Sequence, residues 1–463
     1  MPDALALIAN AAGKLTREGL RITGRGATAL PGLVALTVDP HFITALTSSL
    51  PHGVVCISGT NGKTTTARML ADMVRTSGWD PIHNRSGSNL DRGVASALLA
   101  EATWSGEPRG NVGLFEIDEA SLPGIIGRLR PRVVVVTNLF RDQMDRYFEL
   151  DALAKRIGDA LASLPEDTTL VLNADDPLVA NLAVRRDAKT VFFGVDDPEV
   201  GGNVPQAISD ATRCPRCKSP LTYERVVLAH VGAWSCPNCG FTRPARDVAA
   251  VKVVLGATGS EIALAGTVGS IFEPIRVPVP GLYNAYNALA AVAAAGALGV
   301  GLAEATRALA NFRPAFGRLE TAEVKGRTLR LVLVKNPAGF NAAIGALLET
   351  GRKPRIIGAL NDRDADGRDV SWIWDADFET LAPAVEHAVI TGLRSRDLAL
   401  RFKYAGLAKE RMEVVDDPAA AIDRAVALAP EGCEVVVIAT YTAMLSLRDA
   451  LAKTGAVAPF WED

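Results

Sequence analysis

The chain of 463 residues is too long for one ordinary hydrophobic core, so its length predicts two to four domains. Its hydrophobic fraction of 48% and charged fraction of 22% are typical of a soluble globular protein. A formal net charge of −3 argues against broad electrostatic binding to nucleic acid, which requires a basic surplus or patch.

Two stretches of the chain predict a cytoplasmic location. The opening MPDALALIAN contains an early acid and lacks the basic region of a signal peptide. Residues 288–303, ALAAVAAAGALGVGLA, consist mostly of Ala and Gly. This run is short, and it predicts a packed helix rather than a membrane span.

Residues 1–45 form a predicted N-terminal helical segment. Within it, apolar residues recur at helical spacing and basic residues fall on the polar side (Leu5, Ile8, Ala12 and Leu15 against Lys14, Arg17 and Arg21). We interpret this helix as a surface helix whose polar face is solvated. A peripheral contact with anionic lipid is the alternative.

From about Pro51 onward the pattern is α/β. Four β-branched runs, GVVCIS, NVGLFEI, RVVVVTN and TTLVLN, alternate with helical stretches, as parallel strands joined by crossover helices would. A second series follows from about Ala315, with TLRLVLVKN, KPRIIGAL, EHAVITG and CEVVVIAT. The sequence therefore predicts a central domain over 46–314 and a second α/β domain over 315–463.

The segment VVCISGTNGKTTTARM predicts a phosphate-binding loop between a buried strand and a helix. Backbone N–H groups of such a turn point at phosphate oxygens, and the helix N-terminus adds positive potential. The strict pattern G-x-x-x-x-G-K-[ST] is not met, because its first Gly would fall on Ile57. Strand, turn, helix and triple Thr together nevertheless predict ATP or GTP binding by Gly59, Thr60, Asn61, Gly62, Lys63, Thr64 and Thr65.

Polar side chains follow three of the predicted strands, where parallel sheets bind their ligands. A carboxylate at this edge could complete a Mg²⁺ shell, and solvated loop charges are the alternative interpretation. The candidates are Glu116, Asp118 and Glu119 after one strand, Asn138, Asp142 and Asp145 after the next, and Asn173, Asp175 and Asp176 after the third.

Two C-x-x-C pairs interrupt the central α/β pattern and predict a zinc ribbon inserted over 205–247. The pairs Cys214/Cys217 and Cys236/Cys239 are separated by eighteen residues, and each sits in a knuckle, CPRCKSP and CPNCGF. Four thiolates fill the tetrahedral shell of Zn²⁺ and leave no position for water, which indicates a structural site. Disulfide pairing is the alternative, and it does not fit a reducing compartment.

Several motifs in this order resemble the signatures of the Mur ligase superfamily, which includes the folylpolyglutamate synthetases. They are GTNGKTTT, TNLFRDQMDR, LNADDP, GLYNAYNALAA and FGRLE, within about residues 50–340. The resemblance implies a central P-loop ATPase domain and a C-terminal Rossmann-like domain. It also implies that ATP drives amide formation through an acyl phosphate.

The same resemblance assigns roles to individual residues. Lys63 and Thr64 would bind the phosphates and magnesium, and Glu116 would bind magnesium. Asn287 and Arg318 would contact the nucleotide. The segment expected near the adenine contains Asn173, Asp175 and Asp176.

Four positions depart from the superfamily pattern. Gln143 stands where a His usually helps to bind a second magnesium ion, which leaves the number of magnesium ions open. Lys155 is a candidate for the carbamylated lysine of many members, and an ordinary surface lysine is the alternative. Lys335 precedes Asn336-Pro337 in place of His, and Tyr283 replaces another family His.

The segment DADGRDVSWIWDADFE has no counterpart in ordinary Mur ligases. Together with the Mur-like core, the four-Cys ribbon and KNPAGFN, it resembles the MurT-type subunits of lipid II isoglutaminyl synthase. This resemblance implies that ATP phosphorylates the α-carboxylate of D-glutamate in the peptidoglycan stem peptide. Ammonia from a separate GatD-type glutaminase subunit then gives D-isoglutamine.

The resemblance also places Asp369 at the partner subunit, where it would orient the catalytic His of the glutaminase. The alternative is that Asp369 caps a turn while Trp372 and Trp374 pack a core, rather than anchoring an interface. Cys56 and Cys433 stand alone outside any nucleophile context, so this chain is not expected to generate its own ammonia.

Two other functions are weighed against amidation. A self-sufficient Mur-type or folylpolyglutamate-type ligase would add a whole amino acid to its substrate. A zinc-ribbon nucleotide switch would bind RNA or DNA with strong salt dependence, which the acidic charge balance disfavours. The lipid-linked precursor is the expected substrate, with no nucleic acid and at most peripheral membrane contact.

Overall fold

The computed structural model describes residues 4–22, 29–84, 89–141, 147–185, 189–202, 210–256, 258–266, 271–313, 318–348 and 353–457. Across these ranges the chain forms two large sheets covered by helices, and one separate hairpin. The strands are β1 (Val54–Ser58), β2 (Pro81–His83), β3 (Val112–Glu116), β4 (Val133–Val136), β5 (Thr169–Asn173), β6 (Thr190–Val195), β7 (Thr222–Leu228), β8 (Val231–Ser235), β9 (Val248–Gly256), β10 (Gly259–Gly266), β11 (Ile271–Val277), β12 (Arg318–Val324), β13 (Arg327–Leu333), β14 (Arg355–Ala359), β15 (His387–Thr391), β16 (Met412–Val414) and β17 (Glu434–Ala439).

The helices alternate with these strands in the order expected of crossover connections. They are α1 (Ala4–Ile22), α2 (Leu30–Val38), α3 (Phe42–Thr47), α4 (Lys63–Thr76), α5 (Asp91–Glu101), α6 (Leu122–Leu129), α7 (Tyr147–Ala162), α8 (Pro177–Ala180), α9 (Leu282–Leu298), α10 (Leu302–Ala310), α11 (Pro337–Leu348), α12 (Phe378–Leu381), α13 (Ser395–Tyr404), α14 (Pro418–Leu428) and α15 (Tyr441–Lys453).

The first large sheet has the strand order β11-β10-β9-β6-β5-β4-β1-β3-β2. The seven strands β9, β6, β5, β4, β1, β3 and β2 are parallel to one another. Strands β10 and β11 pair antiparallel and extend the sheet beyond β9. The four runs predicted as parallel strands correspond to β1, β3, β4 and β5, so this prediction is confirmed. Because β1 lies between β3 and β4, the carboxyl ends of these three strands meet beside the loop that follows β1.

Both faces of this sheet are covered, which explains why its strands are apolar throughout. Alternate residues of β1 point to opposite sides. Val55 and Ile57 pack with α4, α9 and α10, whereas Val54 and Cys56 pack with α3, α5 and α6. The β7–β8 hairpin comes between β6 and β9 in sequence and pairs separately from the sheet.

The second large sheet has the order β12-β13-β17-β14-β15-β16 and is parallel except for β12, which pairs antiparallel with β13. Helices α11 to α13 pack on one face, and α14 and α15 pack on the other. The second predicted series corresponds to β13, β14, β15 and β17. The α/β fold class is therefore confirmed for both sheets.

Helix α1 is present, but its orientation differs from the sequence prediction. Leu5, Ile8 and Leu15 are exposed by 47%, 59% and 66%, so the apolar side faces solvent. The buried side consists of small residues, and a Cβ at Gly13 would lie 2.0 Å from a methyl carbon of Leu99. Close packing therefore decides which side faces the protein, rather than hydrophobic spacing.

The basic side of α1 contacts the body of the protein. Lys14 donates to the backbone carbonyls of Leu99 and Ala102, at 3.1 and 2.6 Å. Its ammonium therefore provides hydrogen-bond donors for carbonyl groups at the C-terminal end of α5. Among the helices in the described ranges, none combines the length and apolarity needed to cross a bilayer.

Candidate functional site

The loop between β1 and α4 has the shape of an anion-binding turn. Gly62 adopts φ 88° immediately before α4, and no side chain caps the first turn of that helix. A Cβ on Gly62 would lie 2.0 Å from Oδ1 of Asn287, so only glycine fits under the start of α9. The start of α4 therefore has no side-chain cap from Gly62, and the helix dipole favours an anion there.

Two residues after β4 hold this loop in place. The backbone N–H of Asn61 donates to Oδ1 of Asn138 at 2.9 Å, and the Thr137 hydroxyl donates to the carbonyl of Asn61 at 2.8 Å. Thr60 is held in the same way, because its hydroxyl donates to the carbonyl of Phe140 at 3.1 Å. The loop is therefore fixed before any ligand arrives.

Lys63 is buried at the start of α4 and forms an ion pair with Glu119. The Nζ–Oε2 distance is 2.9 Å, and both side chains are more than nine-tenths buried. The ammonium also donates to the carbonyls of Gly59 and Thr60. Burial alone would raise the pKa of Glu119, but the charge of Lys63 lowers it below its ordinary value. Glu119 is therefore an anion that holds the lysine in place.

Thr64 and Glu116 bring two oxygen ligands together beside Lys63. The Thr64 hydroxyl donates to Oε2 of Glu116 at 2.7 Å. Asn84 fixes the end of β3, because it donates to the carbonyl of Glu116 at 2.7 Å and accepts from its N–H at 2.9 Å. Neighbouring oxygens in an octahedral Mg²⁺ shell lie about 2.9 Å apart. The pair therefore fits two adjacent magnesium ligands.

A cavity of about 970 Å³ extends from this loop. One end is lined by the loop residues Asn61, Gly62 and Thr65, and further lining comes from the ends of β4 and β5 and from the first turns of α9. Of the residues predicted to bind nucleotide, it contains Asn61, Gly62, Thr65, Asn173 and Asn287. The cavity lies at the carboxyl ends of β4 and β5, where parallel sheets bind their ligands.

The second sheet closes part of the same cavity. Ala338 and Gly339 at the start of α11 line it, and Nδ2 of Asn336 donates to Oδ1 of Asn61 at 3.1 Å. Lys335 acts electrostatically on Glu119 from the same segment. Residues far apart in sequence thus meet at one site.

Asp175 and Asp176 lie behind the cavity wall and are completely buried. Asp175 accepts hydrogen bonds from Tyr286 at 2.6 Å, from the Val195 N–H at 2.8 Å and from Nε of Arg243 at 2.7 Å. Burial and the neighbouring Asp175 raise the pKa of Tyr286, so its hydroxyl keeps the proton that it donates. Asp176 caps α8. A role of these two residues at the adenine stays a prediction.

The structure describes the remaining predicted positions to different extents. Arg318 begins β12, where it pairs in register with Val332. Asp142, Gln143 and Asp145 lie outside the described residues. Lys155 is exposed on α7 and pairs with Asp159 at 2.8 Å, as an ordinary surface lysine does.

The four predicted metal ligands come together at the base of the β7–β8 hairpin. Their sulfur atoms all lie within 4.8 Å of one another, with 3.6 Å between Cys214 and Cys239 and 3.4 Å between Cys217 and Cys236. Sulfurs around a tetrahedral zinc ion lie about 3.8 Å apart. A backbone N–H of Ser219 and further hydrogen bonds lower the pKa of Cys217 to about 5. The N–H of Phe241 lowers the pKa of Cys239, but burial and the neighbouring sulfurs outweigh it and raise that pKa. The cluster therefore fits Zn²⁺, and all six cysteines are free thiols.

Asp369 is exposed in the loop after β14. Its carboxylate accepts from the N–H and the hydroxyl of Ser371, at 2.8 and 2.7 Å, and these bonds lower its pKa. The predicted turn cap is thus present, while the carboxylate still faces outward. Trp372 is buried against Phe340, whereas Trp374 is 49% exposed and contacts Tyr404.

The two remaining cysteines lie in or beside buried strands. Cys56 is completely buried in β1, and burial raises its pKa, so it is a protonated core thiol. Cys433 is half-buried just before β17. Both placements agree with the sequence interpretation.

Two family models match the chain, the Mur ligase middle domain over residues 57–211 and the MurT ligase C-terminal domain over residues 333–444. A relative from Streptococcus pneumoniae strain R6 is 34% identical over 445 residues, covering 95% of this chain and 96% of its own. One from Staphylococcus aureus strain COL is 34% identical over 395 residues, covering 85% and 86%. Both are named the MurT subunit of lipid II isoglutaminyl synthase (glutamine-hydrolyzing).

The chain belongs to the MurT family. Solved structures outside that family share its fold. A pseudomurein peptide ligase type C from Methanothermus fervidus superposes with a TM-score of 0.68 at 23% identity, covering 88% of this chain and 79% of its own. Mycobacterium tuberculosis folylpolyglutamate synthase, complexed with ADP and AMPPCP, gives 0.62 at 18% identity, covering 96% and 99%. The MurT-family chain therefore has the Mur ligase fold.

Several residues that complete the site were not predicted from the sequence. Asn84 follows the short strand β2 and carried no motif. Leu228 and Val231, at the tip of the β7–β8 hairpin, line the cavity although they lie within the predicted zinc insertion. The position of the insertion could have indicated Leu228 and Val231. The insertion follows strands whose carboxyl ends lie at the ligand-binding edge of the sheet.

Proposed function

We propose that this chain is the ATP-dependent subunit of a lipid II isoglutaminyl synthase. It activates the α-carboxylate of D-glutamate in the stem peptide as an acyl phosphate, which ammonia then converts to D-isoglutamine. The observation that carries the proposal is the match to MurT subunits over 95% of the chain. The Lys63–Thr64–Glu116 geometry supports it, because those groups suit phosphoryl transfer.

The loop residues Gly59 to Thr65 would cradle the β- and γ-phosphates. Lys63 and the first turn of α4 would stabilise the charge that develops on the transferred phosphoryl group. A magnesium ion held by Thr64 and Glu116 would supply further neutralisation of that charge. Since Lys63 already donates to three oxygen acceptors, an arriving γ-phosphate has to replace Glu119 or one of the two carbonyls.

A carboxylate resists attack by ammonia because its leaving group would be oxide. Once it carries the γ-phosphoryl group, ammonia adds to the carbonyl carbon, and inorganic phosphate leaves with the C–O bonding electrons. The nitrogen loses a proton as the amide forms. Asn287 and Arg318 would contact the nucleotide. Asn173, Asp175 and Asp176 would form the adenine end of the nucleotide site, where Asp175 and Asp176 would act by positioning neighbouring groups.

The four-cysteine cluster would hold a structural zinc ion within a 205–247 insertion. We further assign residues 1–45 to an N-terminal segment, 46–314 to the ATPase domain and 315–463 to a C-terminal domain.

A GatD-type glutaminase would supply ammonia by direct transfer in a heterodimer. Asp369 would enter its site and orient the catalytic His, with Trp374 as an anchor beside it. The exposure of both side chains supports this assignment. The substrate would be the lipid-linked precursor at the cytoplasmic face of the membrane.

The test is to incubate the purified chain with lipid II, ATP and Mg²⁺, with ammonium or with glutamine, in the presence and absence of the glutaminase. Product mass is measured. We expect replacement of one hydroxyl by an amino group with ammonium alone, and with glutamine only when the partner is present. A product enlarged by a whole amino acid would instead support a self-sufficient ligase. No ATP turnover with lipid II and ammonium would refute the proposal.

A further inference from the structure

The tip of the β7–β8 hairpin forms part of the cavity that begins at the phosphate loop. Leu228 and Val231 flank the hairpin turn, and both line that cavity together with Asn61 and Gly62. The hairpin therefore contributes side chains to the space where a nucleotide would extend beyond its phosphates.

The hairpin is rigidly attached to the segment after β5. The N–H of Gly232 donates to the carbonyl of Asp175 at 2.9 Å, and the indole of Trp234 donates to the carbonyl of Ala174 at 3.2 Å. Arg243, which follows the second knuckle, pairs with the Asp175 carboxylate at 2.6 Å. These contacts fix the hairpin relative to the end of the sheet.

A second set of contacts holds the turn itself. The buried ring of His230 packs against Phe140, with 4.6 Å between ring centroids, and Phe140 lines the cavity. The Tyr223 hydroxyl donates to the carbonyl of His230 at 2.9 Å. Leu228 and Val231 therefore have little freedom to move away from the cavity.

The lining of the cavity contains both polar and apolar groups. Asn61, Gly62 and Thr65 provide polar groups at the phosphate loop, whereas the half-buried Leu228 and the almost completely buried Val231, Phe140 and Val279 provide apolar groups. A flat heteroaromatic base binds well to aliphatic and aromatic surface, while phosphate and ribose do not.

We propose that the tip of the cysteine-ribbon hairpin, through Leu228 and Val231, is the binding surface for the nucleotide base. The ribbon is then part of the substrate site rather than a remote stabilising insertion. This assignment rests on the proposed use of ATP and adds a specificity element to it. Because inorganic tripolyphosphate lacks the base, it separates the two ends of the site.

The experiment measures the affinities of ATP and of inorganic tripolyphosphate by isothermal titration calorimetry in Mg²⁺. The proteins are the full-length chain, Leu228→Ala, Val231→Ala and the control Glu224→Ala, whose side chain is exposed on the same hairpin. Loss of apolar contact with the base predicts about 10-fold weaker ATP binding by the first two variants. Their tripolyphosphate affinity should equal that of the unaltered chain, as should both affinities of the control.

Unchanged ATP affinity in both Leu228→Ala and Val231→Ala would overturn the assignment while leaving the proposed function intact. An equal loss of ATP and tripolyphosphate affinity would also overturn it, because the effect would then extend to the phosphate loop. An unaltered chain that binds no ATP would refute the proposed function together with this assignment.

Discussion

The ion pair between Lys63 and Glu119 links nucleotide chemistry to folding stability. Replacing Lys63 by Ala removes the cation and leaves the Glu119 carboxylate buried with its main partner gone. Breaking a buried pair in this way costs about 3–5 kcal/mol. We expect the lower end of that range, because Lys335 also acts electrostatically on Glu119. A loss of this size lowers the melting temperature of the central unit by roughly 10 °C.

The loss depends on pH in a defined direction. In the native chain the lowered pKa of Glu119 contributes stability that is present above the pKa of the unfolded carboxyl, about 4.3, and is lost as the pH falls through the folded value. In Lys63→Ala, burial without the lysine raises the pKa, so the charged form is penalised. The difference between the two proteins is therefore smallest at acidic pH and largest near neutral pH.

Urea unfolding of Lys63→Ala, Glu119→Gln and the double variant, at several pH values, tests this account. Glutamine keeps the shape of Glu119 without its charge, so the double variant should recover most of the stability that Lys63→Ala loses. It should still bind no tripolyphosphate, since the lysine is absent. Additive losses in the double variant, or a pH-independent loss in Lys63→Ala, would refute the coupling.

Three further outcomes are expected. Asp369→Asn should reduce glutamine-dependent amidation by roughly 10³–10⁴-fold while ammonium-dependent amidation is retained. The exposed control Asp364→Asn should change neither activity. Equal loss with both nitrogen sources would contradict the proposed role of Asp369 at the glutaminase. Cys217→Ser should lower the zinc content measured in the purified chain from one ion to a fraction, and full retention would contradict a four-thiolate site. Arg401→Ala removes hydrogen bonds to two carbonyls in 373–376 and should cost about 2–4 kcal/mol in urea unfolding; unchanged stability would show that these bonds are replaced by water.

The sequence was sufficient for the features whose determinants are local. The strand, turn and helix around Lys63 are consecutive, so the phosphate loop could be predicted from residues 54–69 alone. A carboxylate was expected at this edge because parallel sheets bind ligands at the carboxyl ends of their strands, and the family resemblance selected Glu116 among the three acids. The spacing of the two C-x-x-C pairs likewise predicted that the four sulfurs lie close together.

Other features depend on packing between distant segments. The apolar stripe of α1 predicted the wrong contact side, because the small residues Ala9 and Gly13 permit closer packing than Leu would. The partners of the Asp175 carboxylate could not be predicted either, because Arg243 reaches it from beyond the hairpin. Such contacts cannot be obtained from spacing along the chain.

Helix α11 connects two parts of the molecule. Its first turns line the cavity beside the phosphate loop, and its Phe340 ring packs against Trp372, three residues after Asp369. A substitution that displaces α11 should therefore disturb the cavity wall and the loop that carries Asp369 together.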